Sequence, residues 1–215
     1  MGVASDSVHR GAGESIGSFA PRFIMGRLEG FTKDMKICLT PALLPDRKKK
    51  THAYFPALAA CCATLEYFVA LHRGNLNAAG WPDVAAFAER YMRQPDYDRE
   101  TIRVLICAFR HAVAHRGIAT GVWVDQQPGN QQGRRVVWKI TASTKRPACQ
   151  LTAEAGVLTR DPPWPTPFTH RMLIHLGALW IDIREAARQY ATEVASDGPL
   201  QGNFDRCMQR LYPTK

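Results

Sequence analysis

The stretch "AYFPALAACCATLEYFVALHRG", residues 53–74, constrains the fold more than any other part of the chain. Its apolar residues cover nearly the whole circumference of the helix they predict, instead of one stripe. Such a helix belongs in the middle of a bundle, with neighbours on several sides. Gly74 is placed to cap its end. One acid, Glu66, interrupts the apolar run. A buried carboxylate is costly unless a cation meets it, so an arginine or histidine from another helix is expected opposite.

The rest of the chain supplies the neighbours. A chain of 215 residues fits one well-packed domain with at most a small appendage. Residues 1–14 read as a flexible tail. A first helix is predicted to start near Pro21, because proline suits the first helical position. Phe23, Ile24, Leu28, Phe31, Met35 and Leu39 then recur at helical spacing. Pro41 and Pro45 close it, and "PDRKKKT" makes an exposed basic loop. A shorter helix is expected from Pro82 to about Arg93. The third core helix is "DRETIRVLICAFRHAVAHRG", with Asp98 as its N-cap and Ile102, Leu105, Ile106, Phe109 and Val113 as its apolar stripe.

After Gly117 the period changes from helical to alternating. "TGVWVDQ" and "RRVVWKITAS" read as strands joined by the turn-rich "QPGNQQG", and "ACQLT" and "GVLTRD" as short additions. Residues 119–160 are thus expected to form a small antiparallel sheet. A last long helix is predicted with Thr166 as its cap and Met172, Leu173, Leu176, Leu179, Trp180 and Ile183 on its buried face. Residues 197–215 are read as a tail with a short helix around Phe204–Leu211. The expected fold is mainly α: a single domain over 15–196, a four-helix bundle with a β insertion between the third and last core helices.

Composition narrows the partners. The formal charge is +9 with a pI of about 9.5, which favours polyanions such as nucleic acid. No stretch is read as the run of about 20 apolar residues that a membrane span needs, and no membrane partner is expected. Six cysteines lack CxxC spacing and the start "MGVASDSVHRGAGES" has no apolar core, so a reducing cytoplasm is expected and no structural zinc or disulfide framework.

The chemistry concentrates in "FRHAVAHRG", residues 109–117. His111 and His115 are four apart and share a helix face, a spacing that can bind metal. The zinc-protease pattern needs Glu after the first histidine, where this chain has Ala112, and His72, His170 and His175 are unsupported as further ligands; no metal and no cofactor is expected. Arg110 and His115 are about 140° apart around an ideal helix. His115 sits in the last turn, where the helix dipole favours imidazolium and suits it to proton exchange near neutral pH. Arg110 offers a permanent charge and a planar fork for phosphate. A fixed cation beside a proton carrier is what phosphodiester cleavage requires. The alternative is structural: Arg110 pairs with Glu66, and the histidines cap carbonyls at the helix end. Arg103, seven positions before Arg110, can extend one basic strip, or stand idle in solvent. Trp123 and Trp138 can stack bases with Arg134, Arg135 and Lys139 beside them, but packing of the sheet against the helices is the favoured reading.

Arg110-His111-Ala112-Val113-Ala114-His115 resembles the R-x4-to-6-H signature of HEPN domains, the higher eukaryote and prokaryote nucleotide-binding family. The polar residue after the arginine fits, as does the position near the end of the third core helix; Arg116 before Gly117 is a small departure. The resemblance, over about residues 18–195, implies a HEPN-like bundle that dimerises so that two motifs meet in a composite site. It implies a metal-independent endoribonuclease, in which the RNA 2′-hydroxyl attacks the adjacent phosphate to give a 2′,3′-cyclic phosphate and a 5′-hydroxyl. Carried over, Arg110 stabilises the phosphorane, His115 is the general acid–base, His111 supports it, Arg103 and Arg116 hold phosphate, and Glu66 gives polar support. RNA, a second copy of the chain and an antitoxin or defence-system protein are the partners it implies. Other HEPN members are non-catalytic nucleotide-binding or protein-interaction modules, the alternative role for the same motif.

Overall fold

A computed structural model describes residues 9–39, 54–77, 80–110, 122–125, 133–159 and 164–213, with Phe109 and Arg110 by their backbone alone. The predicted basic loop at 45–51 lies outside these residues.

The four-helix bundle with an antiparallel insertion is not what forms. The fold is mixed α/β, with six α-helices and a four-stranded mixed sheet among the described residues. The helices are α1 (Ile16–Leu39), α2 (Tyr54–Arg73), α3 (Trp81–Tyr91), α4 (Arg99–Leu105), α5 (Leu176–Val194) and α6 (Gly198–Leu211). The strands are β1 (Trp123–Asp125), β2 (Arg134–Thr141), β3 (Cys149–Leu158) and β4 (Thr166–His175).

The main correction concerns β4, which takes the place of the predicted first turns of the last helix. In "TPFTHRMLIHLGALW" the apolar residues satisfy both periods, since Phe168, Met172 and Ile174 alternate while Met172, Leu176 and Leu179 step helically. Strand neighbours decide between them. β4 lies inside the sheet, parallel to β2 with Val136 opposite His170 and Ile140 opposite Ile174. On its other side it runs antiparallel to β3, with Cys149 opposite Ile174. The helix begins only at Leu176, where the sequence turns alanine-rich. The parallel pair makes the sheet mixed, in the order β1-β2-β4-β3, and β3 merges the two predicted short strands through an irregularity between Ala153 and Gly156.

α2 takes the central place its composition demands, packing on α1, α3, α5 and α6. It is also the one described helix long and apolar enough to cross a membrane by length and composition, contrary to the reading that no stretch qualifies. Here its apolar residues line the core: Leu58, Cys61, Leu65, Phe68, Val69 and Leu71 are buried. Gly74 ends it at φ +70°, with Asn75 N–H donating to the Ala70 carbonyl at 3.2 Å. A Cβ there would also stand 2.8 Å from the Asn203 backbone, so α6 sets a second demand for glycine.

α1 starts about a turn and a half before Pro21, because Ser15 caps it; its hydroxyl accepts from Ser18 N–H at 3.2 Å. The C-terminal segment read as a tail is largely α6, capped by Asp197 and packed on α2 through buried Phe204 and Cys207. The inner face of the sheet joins the same core through Val136, Cys149, Met172 and Ile174, and Trp123 and Trp138 pack against it. All six cysteines are free thiols.

Candidate functional site

The site to examine is the end of α4, from which the Arg110–His115 motif issues. Asp98 caps the helix, accepting from Thr101 N–H at 2.7 Å. Ile102, Val104, Leu105, Ile106 and Ala108 are all buried, more than one stripe, because α3, β3 and α2 enclose this segment on several sides. The α-helix runs only to Leu105; Ile106–Arg110 form a π-helical turn, which packs on α2. Such single turns widen the spiral by one residue and are frequent at functional sites.

The sequence-predicted residues divide here. Arg110 closes the π turn with its backbone. His111, His115 and Arg116 lie outside the described residues, so their mutual geometry is not part of this structure. Glu66 sits half-buried on α2, the helix that packs against the turn. Arg103 does not extend an open basic strip. Its side chain is 13% exposed and gives two hydrogen bonds to Asp125, one of them at 2.8 Å, and two to Glu100 at 3.1 and 3.0 Å. Arg134 meets the same carboxylates, Asp125 at 3.2 Å and Glu100 still closer. Two arginines and two acids therefore bind α4 to the ends of β1 and β2.

Pairing shifts Glu100 and Arg103 of this cluster toward their charged forms. Hydrogen bonds from Arg103 first, then Arg134, keep Glu100 below the usual carboxylate range despite partial burial. Asp125 and Glu100 in turn push the Arg103 guanidinium still higher. His170, on β4 opposite Val136, is held below its ordinary value by burial and by Arg134, with Asp125 and Glu100 acting the other way. Its Nδ1 lies 2.9 Å from the Thr169 hydroxyl. Cys107, in the π turn, has its thiol raised by burial.

Sequence reasoning missed Glu100 and Asp125 as the carboxylates of this cluster. Asp125 carried a usable signal, an acid at the inward position of a short strand, which demands a buried cation. No group of three or more His, Cys, Asp or Glu side chains among the described residues is arranged to hold a metal ion.

A second polar feature is an open cleft of about 390 Å³ between the end of α3 and α5. Three of its four arginines have carboxylate partners: Arg146 binds buried Asp182, Arg90 binds Glu193, and Arg188 stands 3.6 Å from Glu185, while Arg93 is exposed and forms no ion pair among the described residues. Asp182 is also bonded by the Tyr97 hydroxyl at 2.6 Å. This network ties α5 to the loop before β3. Compared with protein-family models, with curated proteins and with solved structures, the chain gives no match.

Proposed function

We propose that this protein is a metal-independent endoribonuclease of the HEPN type, with Arg110 and His115 as its catalytic residues and His111 in support. The observation that carries the reading is the setting of the motif. It leaves a π-helical turn on a segment buried on several sides and pinned to the sheet by the Arg103–Asp125–Glu100–Arg134 cluster. A motif on so rigid a base can be held in one geometry, as catalysis by positioning requires.

In this reaction the 2′-hydroxyl of RNA attacks the adjacent phosphorus while an imidazole takes its proton. The 5′-oxygen leaves with a proton from an imidazolium, giving a 2′,3′-cyclic phosphate and a 5′-hydroxyl. Arg110 neutralises charge on the phosphorane oxygens. His115 carries the proton, His111 orients it, and Arg116 contacts a neighbouring phosphate. Arg103 supports the site by fixing α4, since carboxylates hold its donors. Glu66 adds polar support from α2. The HEPN resemblance implies a homodimer with a composite site, which accommodates the about 140° between positions 110 and 115 on an ideal helix.

The test is cleavage of labelled RNA in EDTA by the wild type, Arg110→Ala and His115→Ala, with circular dichroism confirming that each variant folds. Each substitution is expected to lower the rate by about 100-fold or more. Equal cleavage by all three proteins overturns the assignment. RNA binding without cleavage by any of them makes the chain a binding module instead.

A further inference from the structure

The two faces of the sheet carry opposite chemistry. Alternation along β2 sends Arg134, Val136, Trp138 and Ile140 inward, and Arg135, Val137, Lys139 and Thr141 to the other face, where Val137 is buried and Arg135 and Lys139 are exposed. Arg171 and His175 of β4 share the outer face, because they stand opposite Val137 and Thr141. Lys145 follows in the loop after β2. Arg135, Lys139 and Lys145 are exposed, and none of them forms an ion pair among the described residues.

Glu154 is the outer-face acid among the described strand residues, and Arg171 holds it with two hydrogen bonds of 2.7 and 2.6 Å. Lys139 also acts on Glu154 and helps keep it ionised. Four cations therefore face one carboxylate. His175 senses the excess from within: after burial, the charges of Lys145 and Lys139 are what hold its imidazole below the ordinary value.

We propose that this outer face is the surface that holds the phosphate backbone of single-stranded RNA, with Arg135, Lys139 and Lys145 as its cationic row. Four residue steps along the strand take Arg135 to Lys139, about 13 Å. A single small anion cannot bridge that distance, whereas a polyanion can. The row starts beside Arg134, which is bonded on the inner face to Glu100 in the first turn of α4. Both tryptophans of the described strands pack toward the core, so the row itself reads charge. Binding here is expected to show little sequence preference.

The inference rests on the nuclease reading for its choice of RNA, and its test does not need cleavage. The probe is a fluorescent, mixed-sequence 2′-O-methyl oligoribonucleotide, which has no free 2′-hydroxyl and stays intact. Its affinity is measured by anisotropy across a salt series for the wild type, for Lys33→Gln, and for the combined Arg135→Gln, Lys139→Gln and Lys145→Gln variant. Removing three phosphate contacts is expected to flatten the slope of log affinity against log salt by about 2. Lys33→Gln on α1, whose lysine is paired with Glu29 away from the sheet, serves as control and is expected to keep the wild-type slope. Lys139→Gln alone, with an expected change of about 0.7, serves if the triple variant does not fold.

A triple variant that folds and binds with the wild-type slope overturns the surface, as does a wild type that binds anionic vesicles but not the oligonucleotide. Loss of binding in the triple variant, together with undiminished RNA cleavage by His115→Ala, keeps the surface and removes the nuclease assignment.

Discussion

Arg134 and Arg135 are neighbours in sequence and opposite in setting. Arg134 turns inward to Asp125 and Glu100 and helps lock α4 to the sheet. Arg135 turns out to solvent, with no ion-pair partner among the described residues. The same pair of fates runs along β4, where Met172 is fully buried and Leu173 partly exposed on the other face. A strand's period of two is enough to sort identical residue types into a paired and a solvent-facing set. Inward Arg134 meets carboxylates and holds the fold, while outward Arg135 and Lys139 stay exposed.

The largest effect expected from breaking that contrast is at Asp125. Asp125→Ala leaves Arg103 and Arg134 at the sheet without their shared carboxylate, and removing one side of a buried ion pair costs about 3–5 kcal/mol. Urea denaturation measures it; a loss under about 1 kcal/mol contradicts the role given to the cluster. Next come the two faces of β4. Met172→Ala is expected to cost about 2–4 kcal/mol as a core truncation, while Leu173→Ala costs about 1 kcal/mol or less. Equal losses in thermal unfolding of the two variants contradict the assignment of faces.

Smaller still is the pH dependence of Glu100. Its folded-state pKa is depressed, so its contribution is present above the unfolded value and is lost as pH falls through the folded one. Its side chain is 40% exposed, which limits the effect to about 1 kcal/mol or less. Glu100→Gln is expected to lose part of the stability the wild type gains as pH rises above the acidic range, read from denaturation midpoints at pH 3 to 7. Least of all, Arg135→Gln and Lys139→Gln are expected to change stability by about 0.5 kcal/mol or less, because their side chains are exposed.

Much of the helical layer was legible. The all-round apolar character of α2 predicted its central place, and Asp98 and Gly74 mark ends that the structure keeps. β1 and β2 were legible as alternating runs on either side of a turn-rich segment. β4 was not, because its apolar residues also fit a helix and its identity depends on pairing with β2 and β3, segments distant in sequence. The π turn left no mark in the sequence, since residues 106–110 continue the helical pattern of α4. At the site, Arg103 was recognisable as a charge near the motif, but not as a charge already matched. Its partner Asp125 comes from a strand across a stretch that sequence periodicity does not connect to α4.

The most direct measurement of the central claim is the chemistry of the ends left by cleavage. RNA is incubated with the wild type in EDTA, beside the same strand carrying one 2′-deoxy nucleotide at the scissile position, and the products are analysed by mass spectrometry. The account predicts 2′,3′-cyclic phosphate and 5′-hydroxyl ends from the RNA and no cleavage at the 2′-deoxy position. Cleavage at that position, or products ending in a 5′-phosphate and a 3′-hydroxyl, contradicts it.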